Sequence, residues 1–185
     1  MADTQKTWAQ IQTLLADNTT GAISPQDLRD AIYSLVPSYG GVYFNGGSTV
    51  TSITQNVWSI ANANSSASST NLRQFTTAST GIMTYTGTVD IHAHVVCTVS
   101  FSCAVAASKE IRVGIDKNSS GTPIAGSILS ANTNGNTTLI SVASHTDVML
   151  SQNDTLECVV TNVTDSSNIT VQDLYLFAMG MIVTS

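Results

Sequence analysis

The chain has 185 residues, of which 42% are hydrophobic and only 10% charged, and its formal charge of -6 comes from six basic against twelve acidic side chains. A pI near 4.6 leaves no basic footprint, so nucleic acid and anionic lipid are excluded as partners. No stretch approaches the roughly 18 apolar residues of a spanning helix, and the polar opening Ala2-Asp3-Thr4-Gln5-Lys6 carries no apolar core, so neither a membrane anchor nor a cleaved secretory signal is expected. Ser, Thr, Asn and Gly fill the polar positions, a balance that suits strands and turns better than solvated helices.

The first 37 residues differ in kind from the rest. Thr7 caps a short helix in which Trp8, Ile11, Leu14 and Leu15 form one apolar stripe, and the Asp17-Asn18-Thr19-Thr20-Gly21 turn ends it. Ser24-Pro25-Gln26-Asp27 then supplies an N-cap, a proline at the first helical position and an acid at the third, a variant of the capping box. Leu28, Ala31, Ile32 and Leu35 continue as the apolar face until Pro37 stops the helix. Ordering such a hairpin costs about 1 to 2 kcal/mol per residue, more than its few large side chains return at about 1.5 to 3 kcal/mol each. It must therefore dock on the following domain, on its own copies or on another protein. Residues 1–37 are read as an anchor segment presenting Trp8, Ile11, Leu15, Leu28, Ile32 and Leu35, with a packed extension of the chain's own domain as the other reading.

From residue 38 to 185 the texture changes to short strand-like runs punctuated by Gly, Asn and Ser. Val42-Tyr43-Phe44 closes at Asn45-Gly46-Gly47; Thr49 to Ile53 and Asn56 to Ile60 follow, and Asn62 to Thr70 has the composition of an exposed loop. Leu72 to Phe75 and Ile82 to Tyr85 precede the longest run of period two, Asp90 to Cys103. There Ile91, Ala93, Val95, Cys97, Val99, Phe101 and Cys103 point one way while His92, His94, Thr98, Ser100 and Ser102 point the other, with Val96 the one break. Ile111 to Ile115, Leu139 to Ala143 and Leu156 to Thr161 are further strands. Evenly spaced strands without intervening helices predict a mainly β protein: an antiparallel jelly-roll sandwich behind a short N-terminal α-helical hairpin.

The last run, Leu174 to Val183, is apolar on both parities. Antiparallel sandwiches normally wet one face of each sheet. One side of this strand should therefore meet the core and the other, carrying Tyr175, Phe177, Met179 and Met181, should meet another subunit or the N-terminal helices.

Chemistry has little support in these residues. Cys97 and Cys103 lie about 20 Å apart at strand rise, beyond the roughly 7 Å reach of a disulfide, and Cys158 sits in an apolar run. His92 and His94 share a face with Asp90 next in line, a trio compatible with zinc or nickel although two surface histidines are the plainer account. His145 in Ser144-His145-Thr146-Asp147 makes no triad, because neighbours on a strand alternate faces. Asp90, Glu110, Asp154 and Glu157 fall in different segments with no recognisable pairing. No enzyme and no cofactor are expected.

The order Gly81-Ile82-Met83-Thr84-Tyr85-Thr86-Gly87, the long strand ending Val99-Ser100-Phe101, Ile115-Asp116-Lys117-Asn118, Leu150 to Leu156, and Ile169-Thr170-Val171 before an apolar last strand resembles the trimeric jelly rolls of the tumour-necrosis-factor and complement-head type, versions of which bacteriophage head fibres, capsid decoration proteins and fibre tips carry. Thr7 to Ile11 and Ala22 to Ala31 are similar to short segments of phage fibre and appendage proteins. The resemblance implies a homotrimer on a virion surface, made in the host cytoplasm. Its N-terminal segment would attach to the major capsid protein or another virion protein, with the jelly roll facing outward. A tip that binds a host-surface glycan or protein is the second role the resemblance allows, and the lack of a coiled-coil shaft favours the first.

Overall fold

The computed structural model describes residues 3–16, 23–61, 67–103, 107–133 and 139–183. The expected turn at Asp17 to Gly21 and most of the loop from Asn62 lie outside them. Two helices, α1 (Trp8–Leu14) and α2 (Pro25–Leu35), precede twelve strands: β1 (Ser38–Phe44), β2 (Thr49–Thr51), β3 (Ser59–Ile60), β4 (Ser68–Arg73), β5 (Phe75–Thr77), β6 (Met83–Tyr85), β7 (Ile91–Cys103), β8 (Lys109–Lys117), β9 (Leu129–Thr133), β10 (Ile140–Leu150), β11 (Thr155–Asn162) and β12 (Ile169–Ile182). They form two antiparallel sheets, β10-β7-β12-β1-β4 with β2 on β12, and β5-β6-β11-β8-β9 with β3 on β11. This is the expected jelly-roll sandwich.

The period-two reading of β7 holds at each apolar position. Ile91, Ala93, Val95, Cys97, Val99, Phe101 and Cys103 are buried between the sheets, while His92, His94 and Thr98 are exposed and Val96 is half-buried. Leu174, Leu176, Ala178 and Ile182 of β12 join the same core, as do Leu156, Cys158 and Val160 of β11. The three cysteines are buried. Hydrogen bonding with Cys97 and burial push the Cys158 thiol up, so it stays protonated and unreactive.

Both helices start as their sequences require. Thr7 Oγ1 accepts from the Gln10 amide at 3.2 Å while Gln10 Oε1 accepts from the Thr7 amide at 2.9 Å, and Ser24 and Asp27 repeat the exchange at 3.1 and 2.9 Å. Such reciprocal caps contribute about 1 kcal/mol each. The hairpin then fastens to the sandwich by polar contacts. The Gln5 amide group donates to Tyr85 Oη and Gln74 Oε1, both at 3.3 Å, and its own oxygen accepts from the Thr88 and Val89 amides at 3.0 and 3.3 Å. Arg73 donates to the carbonyls of Tyr33, Val36 and Pro37 at the end of α2 and lies 4.4 Å from the Tyr33 ring centre. It thereby satisfies carbonyls that a helix end leaves without partners.

One ion pair locks the turn between β11 and β12. Lys109, almost fully buried, donates to Asp165 Oδ2, and Asp165 Oδ1 accepts from Asn162 Nδ2 at 2.8 Å and the Ser167 amide at 2.9 Å. Lys109 and the Ser167 bonds hold the Asp165 carboxyl far below the usual carboxylate range. Because the folded-state value is depressed, the stabilisation is complete above the unfolded-state pKa of about 4 and disappears as pH falls through the folded one. Asp165→Asn should therefore lower the unfolding free energy at neutral pH, by about 1 to 2 kcal/mol after discounting for partial exposure, and flatten the acid limb of the stability curve. Thermal melts from pH 2 to 7 of both proteins check this; parallel curves would show that the pair is inert.

Candidate assembly face

Directly opposed residues of an antiparallel sheet share a face, so the register states what the outside of the first sheet presents. His92 stands between Met149 and Met181, His94 between Asp147 and Met179, Val96 between His145 and Phe177, and Thr98 between Ala143 and Tyr175. On the other side of β12, Tyr39, Gly41 and Tyr43 of β1 oppose Met179, Phe177 and Tyr175. A centre of aromatic and Met side chains therefore spans three strands, with a histidine-rich corner at one edge.

The sequence placed Tyr175, Phe177, Met179 and Met181 on one outward parity, and they lie there together. Tyr175, Met179 and Met181 are exposed, Met181 at 52%, and Phe177 is half-buried. Tyr175 and Phe177 stack with ring centres 6.2 Å apart. Gly41 makes room for this stack, since a Cβ there would come within 3.2 Å of the Tyr175 hydroxyl and 2.8 Å of Thr70 Oγ1. Large apolar patches of this kind mark contact surfaces.

The corner holds all three histidines of the chain, His145 included, although its own segment forms no triad. β10 runs on through Ser144-His145-Thr146-Asp147 to Leu150, beyond the expected end at Ala143. That extension sets Asp147 Oδ1 2.8 Å from His94 Nδ1 and the His145 ring 5.4 Å from the His94 ring. The hydrogen bond with His94, helped by the charge of the histidines, holds the Asp147 carboxyl below its ordinary value. His92 and His94 share a face as expected, but the carboxylate against His94 is Asp147, while Asp90 lines a cavity of about 490 Å³ with Trp8, Thr88 and Val89. Among the described residues no three His, Cys, Asp or Glu side chains meet in a metal-binding arrangement.

The anchor residues divide. Ile11 is buried in the chain's own core and Trp8 packs partly against it, whereas Leu15, Leu28, Ile32 and Leu35 are exposed, Ile32 at 55%. Leu28, Ile32 and Leu35 lie along one side of α2, while the neighbouring Asp30, Ala31 and Ser34 are buried. Of the acids, Glu110 pairs with Arg112 and Asp154 with Lys117. Glu157 faces Asp116 across β11 and β8, a juxtaposition that the sequence reading missed.

Neither a family model nor a curated protein matches this sequence. Among solved structures, the Eiger tumour necrosis factor of S. frugiperda is similar at a TM-score of 0.50 and 10% identity, over 80% of this chain and 96% of that one. The globular domain of a zebrafish complement 1qA protein gives 0.45 at 13% identity, over 81% and 100%. The PRD1 vertex protein P5 gives 0.45 at 9%, over 79% and 97%. The first of these likenesses fixes the fold as a tumour-necrosis-factor-type jelly roll.

Proposed function

We propose that the chain is a homotrimeric virion structural protein of the capsid-decoration or head-fibre kind. The observation that carries this reading is the outer face of the first sheet, where Tyr175, Phe177, Met179 and Met181 of β12 continue into Val96 and Met149 and remain open in the single chain. A head-to-tail contact through this face closes into a ring after three copies. Residues 1–37 form the attachment segment, supported by the exposed Leu28, Ile32 and Leu35 on a helix whose other side is docked on the chain's own domain. The jelly roll of 38–185 then faces outward. A protein that binds an assembled capsid stabilises it by mass action, the role of a cement.

Copy number on the particle tests the role against its rival, the receptor- or glycan-binding tip of a short tail fibre. Quantitative mass spectrometry of purified virions should find the chain in tens to hundreds per particle. A handful of copies would overturn decoration in favour of the tip.

A further inference from the structure

Two strands bring the histidines of this chain to one corner of the assembly face. Period two sets His92 and His94 on the outer side of β7, and β10 sets His145 opposite Val96 and Asp147 opposite His94. All four side chains are exposed in the single chain. Their surround is apolar: His92 stands between Met149 and Met181, and Val96 joins His145 to Phe177 at the centre of the face.

Few charged groups are placed to compensate these rings. Asp147 Oδ1 lies 2.8 Å from His94 Nδ1, and that bond holds its carboxyl below the ordinary value, so it keeps its charge throughout the range in which histidine titrates. Asp90, one step before β7, lines the cavity beside Trp8. β12 presents Tyr175, Phe177, Met179 and Met181, and its one charged residue, Asp173, lies at the far end opposite Ser100. β1 presents Tyr39 and Tyr43, while Arg73 of β4, opposite Tyr39, is held by the carbonyls ending α2. From the second sheet Lys117 reaches the Met149 carbonyl at 2.8 Å and is paired with Asp154. Once protonated, His94 is therefore compensated by Asp147, and His92 and His145 are not.

We propose that the corner of His92, His94 and His145 is a proton-operated release of the assembly face: copies join while the imidazoles are neutral and part when they are protonated. This rests on the trimer proposed above, closed through this face. Enclosing an unpaired imidazolium among Met and Phe side chains costs its hydration, so a histidine that enters the contact has a lower pKa there than in the free chain. Assembly is then at full strength above the free-chain value, ordinarily about 6.5 for histidine, and weakens as pH falls through it. Lysine or arginine at these positions would hold copies apart at any pH, whereas histidine makes the contact conditional. With one such histidine per copy, a pH one unit below that value weakens a three-copy association about a thousandfold, a rise of roughly thirtyfold in the concentration for half-assembly.

Sedimentation velocity on dilution series of the intact chain, at about pH 7.5 and about pH 5.5, decides it. The wild type should need about thirtyfold more protein or higher for half-assembly at the lower pH, and should reassemble on return to the higher one with its circular dichroism spectrum unchanged throughout. His92→Gln with His145→Gln, both at exposed positions, should cut that ratio to about threefold or less, since His94 keeps Asp147. A trimer equally stable at both pH values, tighter at the lower one, or lost there only through unfolding overturns the release and leaves the trimer standing. A chain that is monomeric at the higher pH removes the trimer and the release with it. A double variant with the full wild-type ratio assigns the response to other groups and overturns the proposal too. Should that variant fail to fold, the imidazole Cε1–H resonances of the wild type decide instead. His92 and His145 must titrate together with dissociation, and dissociation while both rings stay neutral rejects their role.

Discussion

Phe177→Asp is expected to convert the proposed trimer into folded monomers, with a loss of association of about a thousandfold or more. Phe177 occupies the middle of the outer face, opposed by Val96 and Gly41 and stacked on Tyr175. Its side chain leaves the face outward, so the core set of Leu174, Leu176 and Ala178 stays intact. Each contact between copies would lose at least the ~1.5 kcal/mol of a buried aromatic and gain a carboxylate in an apolar surround. Three contacts in a closed ring multiply that loss, at tenfold per 1.4 kcal/mol. Multi-angle light scattering at micromolar concentration reads the result. Leu129→Asp, at an exposed position of β9 on the other sheet, should leave assembly unchanged. A wild-type chain that is itself monomeric at that concentration would remove the basis for the trimer.

The parts of the fold that alternate sharply were legible. β7 alternates seven buried apolar positions with exposed His92, His94 and Thr98, and the two-sided apolar character of β12 marked its outer face without knowledge of any neighbour. What escaped was polar on both parities. β4, Ser68–Arg73, is an edge strand with no fully buried residue, and its start reads as loop. The second half of β10 turns Ser144 and Thr146 inward, where Ser144 Oγ bonds the Ser127 carbonyl, so a buried polar parity looks like a solvated one. That single ambiguity hid the approach of His145 and Asp147 to His94. The Asp116 and Glu157 pair was hidden for a different reason, because it exists only in the register of β8 with β11, which no local pattern encodes. The capping boxes of Thr7 and Ser24 were readable since a cap is local by construction.

Replacing Leu28, Ile32 and Leu35 together by Gln is expected to abolish the proposed attachment to particles that lack the protein while leaving the chain folded. Gln has nearly the helix propensity of Leu, and the three positions are exposed, so each change should move stability by no more than about 0.5 kcal/mol. Attachment is more sensitive. Seating the stripe in a capsid groove would return about 1 kcal/mol for each half-exposed side chain, so its loss weakens binding by a hundredfold or more. Deleting residues 1–37 is a poorer test, because it also strips Gln5 from Tyr85 and removes Ile11 and Ala31 from the core cluster. Co-sedimentation of wild-type and triple-variant protein with capsids measures the difference, and matching melting curves certify the fold. If the variant co-sediments as the wild type does, attachment belongs to the jelly roll. The hairpin is then a packed extension, held by Gln5 and Arg73, with a stripe that no partner covers.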